Sequence, residues 1–219
     1  MKKLFFILIF SLFILGNKAF AACPDNLPSP KIELYTSYGK INYIQNLDNR
    51  QITELAAQKG YIEKGIFASG LSFVEVNMDI TLKTIGDIID KYDICVYPTS
   101  IRLSVYFSNP TIYISNQLSP NSCEYKVVLR HEQTHQQINK SALDYFLPLF
   151  KSATLKIAPT IKPINVTNIS EIDEASNILT EKYNQKLTPL LNFFKQQLQK
   201  EQFKLDNQLN YQYENTLCR

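Results

Sequence analysis

Two histidines four residues apart constrain this chain more than any other feature of its sequence. His131 and His135 are its only histidines, and Glu132 directly follows the first of them. On a helix, side chains four residues apart lie one turn above each other, so both imidazoles can bind a single ion from one face. The motif therefore predicts a helix across these residues, with the two rings on the same side.

The residue types of this motif are those of a hydrolytic zinc site. Zinc binds neutral imidazole nitrogen in tetrahedral geometry, and catalytic sites keep one position open for water. Glu132 can then act as the general base that takes a proton from the zinc-bound water and passes it to the leaving amine. We therefore expect Zn2+ bound by His131 and His135, and hydrolysis of a peptide bond. The alternative is that both histidines are ordinary helix residues, one buried and one on the surface.

The third zinc ligand has to be a carboxylate or a tyrosine, because the chain has no further histidine. The extended motif HExxHxxGxxH is absent, which excludes the metzincins. If a second long helix follows antiparallel to the first, its start near residue 170 lies about 30 Å from His135, at 1.5 Å per residue. Residues 190–206 then lie beside the motif, so Asp206 is the predicted third ligand. The alternatives left open are Glu201, Tyr211, Glu174 and Asp144.

Apolar residues at steps of three and four predict the helix that carries the motif. It begins after Ser122, a favourable N-cap residue, and continues to about Pro148 or slightly beyond. We expect His131 and His135 to share its apolar face and Gln136 to lie on or near the opposite, polar face.

A second long helix is predicted to begin near Ser170 and to pack against the first. Its apolar stripe consists of Ile172, Ala175, Leu179, Tyr183, Leu187, Leu190, Phe194 and Leu198. Residues 158–167 are expected to form the connection between the helices. The residues leading to Cys218 are expected to be irregular and tied back by a disulfide.

The first half of the chain, residues 31–118, predicts strands. Segments 32–35 and 41–44 alternate with period two around a turn at Gly39, and β-branched and aromatic segments further on are separated by Pro98 and Pro110. Short connections favour antiparallel pairing. The predicted fold class is therefore α+β, in which a small antiparallel sheet packs on the helix that carries the motif and a long antiparallel second helix follows. A short helix over residues 51–59 is also expected.

The first 21 residues predict a secretory signal peptide. Lys2 and Lys3 precede the apolar segment 4–15, and small residues lead to a cleavage site after Ala21. Residues 22–219 then form the mature protein, expected to be one domain with a β-rich part (31–118) and a helical part (121–210). We expect it in the periplasm or the medium, without stable membrane insertion once the signal is removed. The alternative is a lipoprotein acylated at Cys23.

The charge balance argues against a nucleic-acid partner. The whole chain has 23 basic and 20 acidic residues, but Lys2, Lys3 and Lys18 belong to the signal peptide. The mature protein is therefore neutral, and it contains no basic run of the kind that binds nucleic acid or anionic membranes.

Four cysteines predict two disulfides. They are widely spaced and form no CxxC pair, which argues against a zinc knuckle or a thioredoxin-like site. In an oxidising compartment an even number of cysteines indicates disulfide bonds. Three pairings remain open among Cys23, Cys95, Cys123 and Cys218.

The second half of the chain resembles secreted bacterial families of zinc-dependent proteases of the zincin-like HExxH type. The resemblance rests on segment 122–125 (SCEY), on the HEQTH motif at 131–135, and on Leu205-Asp206 with Tyr211 and Cys218 near the end. It implies a zincin-like fold in which antiparallel strands pack on the active-site helix and an edge strand holds an extended substrate.

These features together predict a secreted zinc-dependent metallopeptidase. Its substrate is expected to be a peptide or protein, including the peptide stems of the cell wall, paired by β-addition with residues 101–106 or 111–115. The first alternative is a non-catalytic secreted or envelope binding protein with a vestigial or structural metal site. A disulfide-stapled inhibitor or envelope structural protein, in which the histidines are incidental, is the second.

Overall fold

A sheet packed on two long helices is the main feature of the computed structural model, which describes residues 23–61, 67–91 and 93–218. The signal peptide predicted over residues 1–21 lies outside the described residues. The strands are β1 (Lys31–Ser37), β2 (Asn42–Ile44), β3 (Gly70–Ile88), β4 (Ile94–Ile114) and β5 (Ile164–Val166). The α-helices are α1 (Asn49–Gln58), α2 (Cys123–Ile157), α3 (Ile172–Leu205) and α4 (Gln208–Glu214).

The long strand β4 is the centre of the sheet. Along one edge it pairs antiparallel with β3, from Gly70 opposite Ile114 to Ile88 opposite Ile94. Along its other edge three short strands follow one another: β5 pairs antiparallel, and then β1 and β2 pair parallel. The sheet is therefore mixed, and the prediction of an antiparallel sheet was wrong.

The parallel pairing arises because the chain does not reverse at the predicted turn. Gly39 has a φ of +68° and bends the chain there, but β1 and β2 continue in the same direction along β4. A Cβ atom at Gly39 would lie 2.8 Å from Cδ of Pro110. The close approach of these two residues explains why the edge is interrupted between β1 and β2.

Two prolines that were expected to separate strands lie inside β4. Pro98 lies between the stretches of β4 that pair with β5 and with β1, and Pro110 lies between the stretches that pair with β1 and with β2. Proline has no N–H to donate to a neighbouring strand. The prolines therefore interrupt the neighbouring edge while β4 itself continues, so the three predicted strands are one.

Helix α2 begins where the sequence predicted. The Ser122 side chain accepts a hydrogen bond of 3.1 Å from the backbone N–H of Tyr125. The helix ends at Ile157, well beyond Pro148, because its buried face continues through Phe150 and Thr154. A proline costs one backbone hydrogen bond, and the packing of this face outweighs that loss.

Helix α3 lies antiparallel to α2 and confirms the predicted pair of long helices. The ring of Phe194 lies 4.9 Å from that of Phe146 on α2 and 6.4 Å from that of Phe107 on β4. Phe194 therefore fills the space between both helices and the sheet. The predicted stripe of α3 is buried or partly buried along its length. Near the C-terminal end of α3, the Gln202 amide donates a hydrogen bond of 3.2 Å to the carbonyl of His135.

Two disulfides are formed, as predicted, and they fix the pairing that the sequence left open. Cys23 bonds Cys95 on the central strand, and Cys218 bonds Cys123 at the start of α2. Because the sulfur of Cys23 is used in a disulfide, the lipoprotein alternative was wrong.

Three local predictions can be compared with the described residues. The predicted short helix is α1, whose N-terminus is capped by the capping box of Asp48 and Gln51. The connection 158–167 contains β5, which periodicity did not reveal. The irregular C-terminal segment contains the short helix α4. Among the described residues, no helix is long and apolar enough to cross a membrane.

Candidate metal centre

Both histidines of the motif are buried and converge on one carboxylate. The Nε2 atoms of His131 and His135 each lie 3.0 Å from Oδ1 of Asp206, and they are 3.1 Å from each other. These three side chains form a group that could hold a metal ion. Asp206 lies where the predicted helical hairpin brings it, just after the end of α3. Its role as a ligand stays a prediction.

The other nitrogen of each ring has its own hydrogen-bond partner. Nδ1 of His131 lies 3.0 Å from a carboxylate oxygen of Glu214. Nδ1 of His135 contacts Oε1 of Gln202. The amide nitrogen of Gln202 donates elsewhere, to the carbonyl of His135 and to Oδ1 of Asn139, so its oxygen is the atom that faces the ring. Both partners are acceptors, which places the proton of each neutral imidazole on Nδ1 and the lone pair on Nε2.

Three acceptor atoms therefore face one another in a small space. Two neutral imidazole lone pairs and a carboxylate repel unless a cation lies between them. Ligands at 2.0–2.1 Å in a tetrahedral zinc site are about 3.3 Å apart, close to the separations found among His131, His135 and Asp206. The donor set thus fits a divalent metal, and the outer partners hold each ring in the tautomer that ligation needs.

The same crowding alters the proton affinities of the metal-free site. Burial lowers the pKa of His131 and of His135, but the Asp206 carboxylate outweighs it, helped by Glu214 at His131 and by Glu132 at His135, and the pKa of each ring is raised. Burial acts to raise the pKa of Asp206, yet the hydrogen bonds from both rings hold that pKa well below its usual range. Without a cation, the site favours protonated histidines beside an ionised aspartate.

Tyr211 covers the outer side of this group. Its hydroxyl donates a hydrogen bond of 2.8 Å to Oδ1 of Asp206, and its ring stacks on His131 with the centroids 5.5 Å apart. Burial and the neighbouring Asp206 carboxylate raise the pKa of Tyr211, so the hydroxyl remains a donor. It supports the aspartate from α4.

The remaining candidates for the third ligand are occupied elsewhere or distant. Glu201 is half-buried and pairs with Lys204 at 2.6 Å. Asp144 accepts a hydrogen bond from the hydroxyl of Tyr38. Glu174 lies in the first turn of α3, at the end of the helix opposite Asp206.

Glu132 lies between α2 and the start of β3. It accepts a hydrogen bond from the backbone N–H of Ser72, and burial raises the pKa of its carboxyl to about 8. A Cβ atom on Gly70 would lie 2.5 Å from Oε1 of Glu132. Only glycine at position 70 therefore leaves room for the strand to pass so close to the carboxylate.

A buried chain of amides was missed from the sequence. Gln136, expected near the polar face, is buried, and its amide donates a hydrogen bond of 2.7 Å to Oγ of Ser72. Asn139 contacts Gln136 and accepts a bond of 2.6 Å from Gln202. The buried face of α2 thus includes Glu132, Gln136 and Asn139. Their burial is possible because polar partners on β3 and α3 satisfy their hydrogen bonds.

Glu214 was also missed. It lies in α4, which the sequence left irregular, and it is 3.0 Å from Nδ1 of His131 in a segment that the Cys123–Cys218 disulfide joins to α2. The signal available was its position four residues before Cys218, but the sequence did not give the pairing of that cysteine.

The site opens into a cleft of about 710 Å³ between β3, α2 and α3. Glu132 and the three metal-binding candidates line it together with apolar side chains of β3 and α3, among them Val74, Val76 and Leu198. The central strand β4, which was expected to pair with a substrate, has neighbours on both edges. That expectation was wrong, because a strand with both edges paired has no free N–H or C=O groups for another chain.

Comparison with protein-family models, with curated proteins and with solved structures finds no match to this chain.

Proposed function

We propose that the protein is a zinc-dependent peptidase whose metal is held by His131, His135 and Asp206. One observation carries this proposal: two imidazole Nε2 atoms and a carboxylate oxygen converge within 3.1 Å, and the buried Glu132 carboxyl lines the same cleft. An incidental pair of histidines has no need for this convergence. The resemblance of the chain to zincin-like HExxH proteases implies the same site.

Bound zinc supplies two effects, since it increases the acidity of water in the site and polarises the carbonyl of the scissile bond. Two imidazoles and one carboxylate are a ligand set common to catalytic zinc sites. Glu214 and Gln202 accept hydrogen bonds from Nδ1 of the two imidazoles and would thereby leave each Nε2 available to hold the ion. Tyr211 fixes the orientation of the Asp206 carboxylate through its hydrogen bond.

Glu132 moves the proton. Its carboxylate accepts a proton from the attacking water and then donates it to the nitrogen of the leaving amine. Burial makes the carboxylate a stronger base, and a cation bound by His131, His135 and Asp206 would favour its ionised form, which is the form that takes the proton. The backbone N–H of Ser72 holds the carboxylate at the wall of the cleft by a hydrogen bond. Gly70, which has no side chain, leaves the space that the carboxylate occupies.

An extended peptide fits along the first part of β3. Among the described strands, none pairs with the edge of β3 that faces away from β4. Gly70, Leu71, Ser72, Val74 and Val76 line the cleft beside Glu132. A peptide that adds to this edge is held by backbone hydrogen bonds, which are independent of its sequence. The substrate class we propose is therefore an unfolded or extended peptide segment.

The working compartment we propose is the periplasm or the medium. The two disulfides fit an oxidising environment. The predicted signal peptide supplies the route.

The test is a comparison of Glu132→Gln with wild type. Glutamine has nearly the same shape but cannot take the proton, so the variant is expected to bind zinc as wild type does and to lose peptide hydrolysis by about 10²-fold or more. Glu124→Gln is a matched control, because Glu124 is exposed in the first turn of the same helix. The assay is digestion of a mixed peptide library, read by mass spectrometry. Equal hydrolysis by Glu132→Gln and wild type contradicts the catalytic role, and zinc binding without any hydrolysis favours the non-catalytic binding protein.

A further inference from the structure

The C-terminal segment of residues 207–218 approaches the metal site although it has little hold of its own on the core. None of the seven residues of α4 is buried. The hydrogen bonds that cap this helix are local: the backbone N–H of Asn210 donates to Oδ1 of Asn207, and the backbone N–H of Asn215 donates to the carbonyl of Tyr211. A helix of this length without a buried face is marginal in water. Something outside the helix therefore keeps it in position.

That constraint is on helix α2. Cys218 is bonded to Cys123, the first residue of α2, and His131 follows two turns later on the same helix. The segment contacts His131 through the carboxylate of Glu214 and through the ring of Tyr211. Since only three residues separate Glu214 from Cys218, the disulfide limits how far the carboxylate can move from the ring.

We infer that the C-terminal segment is part of the metal centre: Glu214 is a positioning residue for His131, and the Cys123–Cys218 disulfide makes tight zinc binding depend on its formation. This inference rests on the proposed metal site. When the disulfide is open, the segment loses its covalent connection to α2. His131 then lacks the acceptor that fixes its tautomer, and Asp206 lacks the hydroxyl of Tyr211.

The expected loss is that of an outer partner of a metal ligand. Removing such partners in other zinc sites lowers metal affinity by about 10- to 100-fold. A chain in a reducing compartment is therefore expected to bind zinc weakly, and the site to become complete only after export and oxidation. This couples the compartment in which disulfides form to the activation of a hydrolase that would otherwise act on proteins of the cell that makes it.

The chain offers a matched control in its second disulfide. Cys23–Cys95 joins the start of the described chain to β4, and neither cysteine lines the cleft of the metal site. We would measure the zinc dissociation constant by competition with a chromophoric chelator, using oxidised wild type, a Cys123→Ala/Cys218→Ala variant and a Cys23→Ala/Cys95→Ala variant. The first variant is expected to bind zinc about 10- to 100-fold more weakly than wild type. The second is expected to stay within about threefold, a factor that corresponds to under 1 kcal/mol.

A second pair of variants keeps both disulfides. Glu214→Ala removes the acceptor for Nδ1 of His131, whereas Glu214→Gln keeps an acceptor oxygen without the charge. Glutamine is expected to recover part of the affinity lost with alanine, which a purely structural role in α4 does not predict. Glu201→Ala is the control, because Glu201 pairs with Lys204 and does not line the cleft.

Equal zinc affinity in wild type, the Cys123→Ala/Cys218→Ala variant and Glu214→Ala overturns the inference and leaves the zinc site itself intact. An equal loss in both disulfide variants also overturns it, because the effect is then one of general stability. If oxidised wild type binds no zinc, the proposed function fails, and the inference fails with it.

Discussion

Gly70→Ala is a sharp test of how the strand supports the catalytic carboxylate. The added methyl would lie 2.5 Å from Oε1 of Glu132 and 2.6 Å from Cγ1 of Val128. Carbon atoms pack at about 3.5–4.0 Å, so one side of the contact has to move by about 1 Å. Glu132 is held between α2 and Ser72, and its displacement is the direct way to make room.

The expected effects on activity and on stability differ in kind. A shift of about 1 Å in a catalytic group lowers the rate by roughly 10²-fold, equivalent to about 2.7 kcal/mol of transition-state free energy. Overpacking costs about 1–3 kcal/mol of folding stability. The atoms nearest the new methyl belong to Glu132 and Val128, so zinc content is expected to remain one per chain.

Gly86→Ala provides the control for crowding alone. There the added methyl would lie 2.9 Å from both Ile172 and Ile94, two apolar side chains outside the cleft. Both variants are expected to unfold at lower temperature, and only Gly70→Ala is expected to lose peptide hydrolysis. Full activity in Gly70→Ala, or equal losses of activity in the two variants, contradicts the proposed support of Glu132 by β3.

Three further measurements test other parts of the structure. The pKa of His131 and of His135 is raised in the metal-free protein, so zinc has to displace protons from both rings. Zinc affinity is therefore expected to fall by up to about 100-fold per pH unit below those pKa values. Calorimetry in buffers of different ionisation enthalpy measures the protons released, and the absence of proton release would refute this. Burial raises the pKa of Glu132 to about 8 in the folded state, so the metal-free protein is expected to lose stability as the pH rises from about 4.5 to 8, since the folded state then holds the proton more tightly than the unfolded one. Glu132→Gln is expected to remove this loss, a difference on the order of a few kcal/mol at pH 8 in denaturant unfolding, and parallel pH profiles for the two proteins would argue against it. Phe194→Ala is expected to destabilise the protein by about 3–5 kcal/mol, because its ring packs against both helix α2 and the sheet, and a loss below about 1 kcal/mol would contradict that packing.

Helical features of this chain could be predicted because they depend on neighbours in sequence. The apolar steps of α2 and α3 and the N-cap at Ser122 are local signals. The number of residues along two antiparallel helices was enough to predict that Asp206 lies beside His131 and His135. The same count brought Glu201 into range as well, because the arrangement of the helices sets the distance but does not show which side chain faces the motif.

Strand pairing and the outer partners of the site could not be predicted in the same way. The residues around Gly39 are compatible with a hairpin turn. That β1 and β2 instead run in the same direction depends on contacts with a distant strand, where Gly39 lies against Pro110. Gln136 has a polar side chain whose burial depends on its hydrogen-bond partners. One of them, Ser72, is remote in sequence, and the other, Asn139, lies one helical turn further on. Glu214 contacts His131 from a segment that is joined to α2 by a disulfide whose pairing the sequence left open. Each of these features depends on contacts between remote parts of the chain.

The most direct test of the proposed function is the zinc content of the oxidised mature protein and of three variants. One zinc per chain is expected for wild type and for the control Glu201→Ala. Little or no zinc is expected for His135→Ala and Asp206→Ala, each measured on folded protein by elemental analysis after zinc reconstitution. Folded, disulfide-bonded wild type that takes up no zinc would contradict the metal site and the peptidase with it, and full zinc content in Asp206→Ala would contradict the third ligand.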